Sequence, residues 1–209
     1  MSKECQKLHK LFNSMKRIGF PFDESEIPLN GIYVLFEKGE KGHGGDRIVR
    51  IGTHTGNNQL KSRLKQHFIN ENKDRSIFRK NIGRALLNNK KDPFLKQWEL
   101  DLTTRKSKEK YSELVDFEKQ KKIEKEVTRY IQNNFSFIVF EINEKEERLE
   151  TESKLISTVS LCDECKPSKN WLGLSSPKEK IKESGLWLVN ELYKTPFTEE
   201  EIKCQPAEN

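Results

Sequence analysis

Five residues whose side chains can transfer protons, bind phosphate or hold a metal stand in short motifs spread along the chain. Tyr33 ends a Gly-Ile-Tyr motif, and Arg50 begins an Arg-Ile-Gly motif. Arg63 and His67 are four residues apart, on one face of a predicted helix, and Glu152 lies on a later predicted helix. Phenols and imidazoles transfer protons, guanidinium groups bind phosphate bidentately, and a single carboxylate often holds magnesium. Together these residue types suit the hydrolysis of a phosphodiester.

The order of the motifs resembles that of the GIY-YIG nucleases. In that family Gly-Ile-Tyr opens the first strand and Tyr-Ile-Gly lies on the neighbouring strand. An arginine on the next helix, a glutamate on a later helix and an asparagine after a proline-led turn complete the pattern. The matching residues here are Tyr33, Arg63, Glu152 and Asn170. Arg50 stands where the family has its second tyrosine, which is a departure from the pattern.

This resemblance implies a metal-dependent endonuclease that cuts DNA with Mg²⁺, or with Mn²⁺ as the alternative metal. Tyr33 would act as the general base, and the cationic Arg50 beside it would favour its phenolate form. Arg63 would hold the scissile phosphate, and Glu152 would bind the metal. Asn170 would bond to the phosphate or hold the helix of the glutamate. One carboxylate fits a site for one metal ion.

Each of these residues also has a structural interpretation. A strand tyrosine usually packs in the core, and an acid near a helix N-terminus usually compensates the helix dipole. Glu150 competes with Glu152, which we prefer because the apolar residues one turn further set the helix against the core. His67 could relay a proton or contact phosphate, or it could be an ordinary core or surface histidine. His54 and Thr53 are weaker candidates.

The second hypothesis is a nucleic-acid-binding module that has lost catalysis. The only observation that supports it is the departure from the family pattern at Arg50. The retention of Tyr33, Arg63 and Glu152 together favours the enzyme. A nuclease acting on RNA or on branched DNA is a further alternative. A symmetric DNA site would imply a homodimer, although nothing in the sequence demands one.

Basic residues concentrate between residues 61 and 91, where ten lysines and arginines face only two acids in a chain of net charge +6. Such a stretch is typical of a surface that neutralises phosphate backbones. A solvated helix face would carry the same charges. The residues predicted to bind nucleic acid are Lys61, Lys65, Lys73, Arg79, Lys80 and Arg84.

Hydrophobic periodicity predicts the elements that must position these residues. Alternating or continuous apolar residues indicate strands over 32–36, 47–52 and 135–142, the first two joined as a hairpin by a glycine-rich turn. Apolar residues at helical spacing predict helices over about 2–18, 60–68, 77–87, 111–133, 148–161 and 176–184. Residues 185–192 read as a strand or an extended segment. We therefore predict an α+β fold, a small, mainly antiparallel sheet of three or more strands flanked by helices.

The length of 209 residues fits one domain. Residues 28–175 form the predicted catalytic core, which includes a helical insertion at 72–132. An N-terminal helix at 1–27 is predicted to lie outside the catalytic unit. The C-terminal extension at 176–209 ends in a tail that is predicted to be peripheral.

Four cysteines, at Cys5, Cys162, Cys165 and Cys204, are too sparse for the disulfide framework of a secreted domain. Cys162 and Cys165 form a Cys-x-x-Cys motif, half of a zinc site if the other two converged on it. Free thiols are the favoured interpretation. The longest apolar runs fall far short of the ~20 residues that span a bilayer, and the N-terminus lacks the apolar core of a secretory signal. We therefore expect a cytoplasmic protein without a membrane segment.

Overall fold

The computed structural model describes residues 2–203, which form an α+β fold built on an open antiparallel sheet. The sheet has four strands in the order β1-β4-β2-β3. The strands are β1 Ile18–Gly19, β2 Ile32–Gly42, β3 Gly45–Gly52 and β4 Phe135–Phe140. The predicted class and the antiparallel hairpin are confirmed, and β1 is a two-residue edge strand that the periodicity did not indicate.

Helices surround this sheet. Within residues 2–203 they are α1 Ser2–Ser14, α2 Leu60–Phe68, α3 Ile77–Asn89, α4 Leu95–Trp98, α5 Arg105–Tyr111, α6 Phe117–Asn134, α7 Lys145–Ser160, α8 Glu179–Ser184 and α9 Glu199–Lys203. None of the helices in this described part combines the length and apolarity needed to cross a bilayer. The predicted helix over 111–133 begins later, because the Asp116 side chain caps α6 by accepting a hydrogen bond from the Lys119 N–H at 2.9 Å. Leu114, which precedes this cap, is exposed.

Side chains on the two faces of the sheet enter two separate hydrophobic cores, because successive residues of a strand point to opposite sides. Tyr33 and Leu35 of β2 face a core that contains residues of α2, α3 and α6. Ile32 and Val34 face a core that contains residues of α1 and α7. We call these sides the α2 face and the α1 face.

A change of register in the β2–β3 hairpin determines where Arg50 points. Leu35 pairs with Arg50, whereas Phe36 pairs with Ile48, so Val49 is an extra residue on β3. Such a bulge interrupts the alternation of a strand and re-aims its side chains. Arg50 therefore lies on the α2 face. Without the bulge, the alternation after Val49 would have turned the Arg50 side chain to the α1 face.

The terminal elements pack on the α1 face more closely than the sequence predicted. Cys5, Leu8 and Phe12 of α1 are buried against the sheet. Phe197, in the tail predicted to be peripheral, is 5% exposed and belongs to the same core. The Nζ atom of Lys154 on α7 lies 2.6 Å from Oε1 of Glu201 on α9. Phe197 therefore does not fit the expectation of a peripheral tail, because the sheet needs an apolar cover on this face and the two termini contribute to it. The position of the N-terminal helix outside the catalytic unit stays a prediction.

Candidate active site

A hydrogen bond joins Tyr33 of β2 to His67 in the last turn of α2. The Tyr33 hydroxyl oxygen lies 2.8 Å from Nε2 of His67, and Nδ1 of the same ring lies 2.7 Å from Oγ of Ser76. The Ser76 side chain caps the N-terminus of α3. Tyr33 is 1% exposed and His67 is fully buried. Ser76 is not among the residues predicted for the site, and its only indication in the sequence is its place before a helix.

The environment of His67 keeps its imidazole uncharged. Burial lowers the pKa of His67 well below its ordinary value, and the charges of Arg63, Arg50 and Arg79 lower it further. A neutral imidazole carries one hydrogen, so one ring nitrogen donates and the other accepts. Protonation of His67 therefore needs a more acidic pH than that of an ordinary histidine.

Arg50 lies beside the Tyr33 hydroxyl and is held there by a distant segment. Its Nε is 3.4 Å from the Tyr33 oxygen, and its Nη1 donates to the Trp187 carbonyl. Its guanidinium carbon lies 5.2 Å from the ring centroid of Phe78. The Trp187 N–H donates to the Val49 carbonyl at 2.7 Å, so the segment of Trp187 docks on β3 at the bulge. This segment, residues 185–192, was predicted as a strand or extended chain, and it does not form a strand. Trp187 is not among the residues predicted for the site.

The glycines of both motifs are required by close contacts. A Cβ atom on Gly52 would lie 2.2 Å from the Tyr33 hydroxyl oxygen. Gly31 has a φ of +155°, and a Cβ atom there would lie 2.1 Å from the Phe140 carbonyl oxygen. Side chains at these positions would displace Tyr33 or separate β2 from β4. The Gly-Ile-Tyr and Arg-Ile-Gly motifs are therefore packing units that set the position of the tyrosine.

Glu152 of α7 reaches the same end of the hairpin. Its Oε1 accepts a hydrogen bond from the Thr53 N–H at 3.0 Å. Burial raises the pKa of Glu152, and the charge of Arg50 and the Thr53 N–H oppose that rise. Its other oxygen makes no hydrogen bond to any residue in the described range. By contrast, the side chain of Glu150 is 67% exposed and pairs with Lys154 at 2.8 Å.

Arg63 lies on the wall of a surface cavity of about 270 Å³, which Thr53 and His54 also line. Its Nη1 donates to the Gln66 side chain and to the Arg75 carbonyl, both at 3.1 Å. Its Nε is buried and has no hydrogen-bond partner among the described residues. An unpaired buried donor carries a desolvation cost that an anionic ligand would remove.

Asn170 stands apart from the other five predicted site residues. It is exposed in the turn between Ser168 and Trp171. Those two residues bond to the side chains of Glu40 and Glu37, further along β2 than Tyr33. The predicted role of Asn170 in binding phosphate stays a prediction.

The basic residues on α3 and just before it have mostly internal partners. Lys73, Arg79 and Arg84 are buried, and Lys80 donates to the Glu99 carbonyl at 3.0 Å. The ion pairs are Arg79 with Glu124 at 2.6 Å, Arg84 with Glu99 at 2.5 Å and Lys73 with Asp74 at 2.8 Å. The contact of these three with nucleic acid stays a prediction, and their burial argues against it, because Glu99 and Glu124 from beyond residue 91 and Asp74 from within the stretch pair with them. Lys61 and Lys65 of α2 remain partly exposed.

Comparison with known proteins agrees with the motifs and the fold. The family model for the GIY-YIG domain matches residues 3–202, almost the whole chain. The chain therefore belongs to the GIY-YIG domain family, and this membership indicates a nuclease. No curated protein and no solved structure matches it.

Proposed function

We propose that this chain is an endonuclease that hydrolyses phosphodiester bonds of DNA with a bound Mg²⁺ or Mn²⁺. The observation that carries the proposal is the hydrogen bond of 2.8 Å between the Tyr33 oxygen and His67 Nε2, with Arg50 Nε 3.4 Å from the same oxygen. Arg63 and Glu152 are close enough for their charges to act on this group of residues. A base, cationic groups and a carboxylate are the parts that phosphodiester hydrolysis needs.

In this proposal Tyr33 takes the proton of the attacking water. His67 is a poor final acceptor for that proton, because an imidazolium would be buried beside three arginines. We assign the Ser76 hydroxyl as donor to Nδ1, so that the hydrogen of His67 is on Nε2 and is donated to Tyr33. The N–H groups of His67 and Arg50 then converge on the oxygen whose negative charge must be stabilised.

Glu152 is the residue that would hold the metal. The Thr53 N–H holds one carboxylate oxygen in place, and the other oxygen is free among the described residues. One carboxylate completed by water and substrate phosphate is a usual magnesium environment. A divalent cation bound there would stabilise the charge on the phosphate and on the leaving oxygen. The unpaired Nε of Arg63 would bind the scissile phosphate from the neighbouring cavity.

The test is incubation of the purified protein with supercoiled, linear, branched and single-stranded DNA and with RNA, with and without Mg²⁺ or Mn²⁺. The proposal expects metal-dependent cleavage of DNA. Exclusive cleavage of RNA or of branched DNA would replace the proposed substrate. If no substrate is cut with either metal, the chain is the binding module that has lost catalysis, and the enzyme proposal fails.

We also propose a cytoplasmic location. Within residues 2–203 the cysteines Cys5, Cys162 and Cys165 carry no disulfide, as is usual in the reducing cytosol.

A homodimer is the assembly that a symmetric DNA site would require. Light scattering of the free protein and of its DNA complex would measure the oligomeric state.

Two lysines of α2 are expected to contact the phosphate backbone. Replacing Lys61 and Lys65 together with serine should weaken the binding of all DNA sequences alike. The slope of log affinity against log salt should fall by about 2, since each phosphate contact contributes roughly 0.9. Lys65 loses only an exposed ion pair with Glu24, so little stability should be lost.

The matched control removes the same charge from the opposite side of the sheet, by replacing Lys3 and Lys10 of α1 with serine. Both lysines are exposed. Fluorescence anisotropy across a salt series would measure all three proteins. An equal loss of slope in the control would show that only overall charge matters and that α2 is not the contact surface.

The raised pKa of Glu152 sets the expected pH dependence. Because a metal binds the ionised carboxylate, cleavage should be lost as the pH falls through this raised pKa, at a higher pH than for an ordinary glutamate. The lowered pKa of His67 moves its own protonation in the opposite direction, to a more acidic pH than for an ordinary histidine. Single-turnover rates against pH at several Mg²⁺ concentrations would check this. More metal should move the limb to lower pH, and a limb that ignores the metal concentration would contradict the assignment.

A further inference from the structure

Two cysteines and two histidines from three distant segments meet on the α1 face of the sheet. Cys5 and His9 lie one turn apart on α1, His43 lies in the turn between β2 and β3, and Cys165 follows α7. The ligand atoms of the four side chains all lie within 4.8 Å of one another. Cys5, His9 and Cys165 are buried, and the side chain of His43 is 3% exposed.

The separations between these atoms are close to those of a tetrahedral zinc site. The Cys165 Sγ lies 3.2 Å from Nε2 of His9, and the Cys5 Sγ lies 3.5 Å from the other nitrogen of the same ring, Nδ1. Zinc binds sulfur at about 2.3 Å and nitrogen at about 2.0–2.1 Å, so its tetrahedral ligands are roughly 3.3–3.8 Å apart. Small side-chain adjustments would therefore enclose an ion.

The outer contacts of the histidines favour Nε2 of each ring as the ligand atom. Nδ1 of His9 lies 3.0 Å from the Cys5 carbonyl oxygen, and Nδ1 of His43 lies 3.7 Å from a carboxylate oxygen of Glu164. Metal-bound histidines commonly donate their second N–H to a carbonyl or a carboxylate. Nε2 of His9 also accepts a hydrogen bond from the Ile48 N–H at 3.2 Å, which ligation would replace.

The chemistry of the four side chains separates this cluster from the proposed catalytic metal. Thiolates and imidazoles suit zinc, whereas the oxygen ligand Glu152 suits magnesium. Four protein ligands also leave no open position for water or substrate, which is typical of structural zinc sites. The cluster lies within an apolar core, where thiols and imidazoles are otherwise poorly solvated.

We propose that Cys5, His9, His43 and Cys165 bind one structural Zn²⁺. The ion would tie α1 and the segment after α7 to the tip of the β2–β3 hairpin. The sequence suggested a different set, in which Cys162 joined Cys165. Cys162 lies 3.2 Å from Nε2 of His43 but outside the group of four, and Cys204, the fourth member of that set, lies outside the described residues.

The test begins with the metal content of the full-length protein, purified without chelator and measured by inductively coupled plasma mass spectrometry. About one zinc per chain is expected. Cys165→Ser and His43→Asn should each lose it, whereas Cys162→Ser, the matched control three residues earlier in the same Cys-x-x-Cys motif, should retain it. Glu152→Gln should also retain it, because the proposed catalytic site is separate. Loss of zinc from Cys162→Ser equal to that from Cys165→Ser would overturn the ligand set.

A second measurement does not depend on the folding of variants. The unmodified protein, stripped with a chelator and reloaded with Co²⁺, should show the intense visible bands of tetrahedral cobalt and the near-ultraviolet bands of cobalt–thiolate bonds. Chelation should lower the melting temperature, and Zn²⁺ but not Mg²⁺ should restore it. A protein that contains no zinc and gives no tetrahedral cobalt spectrum would overturn the proposal, as would a disulfide between Cys5 and Cys165 in the protein as isolated.

Discussion

Glu152→Gln is expected to abolish cleavage and leave DNA binding largely intact. The glutamine oxygen can still accept the hydrogen bond that the Thr53 N–H makes to Glu152, so the helix and the hairpin should keep their relative positions. What the substitution removes is the negative charge that would hold the metal. Because metal-ion catalysis contributes several kcal/mol, the single-turnover rate should fall by about 10³-fold or more.

Glu150→Gln is the matched control for this prediction. It removes the same charge two residues away on α7, from a side chain that is 67% exposed and pairs only with a surface lysine in the described contacts. Cleavage rates with saturating Mg²⁺ and binding by fluorescence anisotropy would be compared for both variants. If Glu150→Gln is inactive and Glu152→Gln cuts normally, the proposed metal ligand is wrong.

Arg50→Ala should cost about 10²–10³ in rate, or roughly 3–4 kcal/mol, as expected for the loss of one preorganised charge-stabilising group. The rate of Arg50→Lys should fall between those of Arg50→Ala and the unmodified protein. An ammonium keeps the charge but lacks the fork that contacts both Tyr33 and Trp187. Arg50→Ala leaves the Trp187 carbonyl without the donor that Arg50 supplies, which costs about 1–3 kcal/mol of stability when buried. Melting temperatures would therefore be measured beside single-turnover rates.

Tyr33→Phe tests the same pair of residues, Arg50 and Tyr33, by changing the tyrosine. It deletes only the hydroxyl, and we expect a loss of rate comparable to that of Arg50→Ala. The double variant should be far less than additively worse, since the two residues act on one oxygen. A purely structural hydroxyl would instead lower the melting temperature and leave the rate unchanged. If Arg50→Ala cuts as fast as the unmodified protein, Arg50 is a structural strand residue and the proposed activation of Tyr33 fails.

Much of the geometry around Tyr33 could be predicted from short-range patterns. The run of β-branched and aromatic residues and the glycine-rich turn indicated the β2–β3 hairpin. The spacing of four between Arg63 and His67 placed both on α2, and both belong to the site region. These predictions succeeded because strand alternation and helical periodicity are local and are written directly into neighbouring residues.

The orientation of Arg50 could not be predicted in this way. The extra residue at Val49 changes the register by one, and a register shift of one residue moves a side chain to the opposite face. The Val49 carbonyl also bonds to Trp187, which lies more than one hundred residues further along the chain. No pattern within β3 specifies that partner.

Long-range pairing also decided the role of the charges and of the sulfur and imidazole groups. Counting charges between residues 61 and 91 predicted a phosphate-binding surface, but Arg79 is neutralised by Glu124 of α6. Cys5 and His9 share a helix face by their spacing alone, whereas only the packing of α1 on the sheet brings them to His43 and Cys165. The sequence by itself determined the family motifs, the local elements and the residue types at the site. The tertiary structure alone decided which charges face solvent and which side chains meet, because burial and contact depend on residues far apart in the chain.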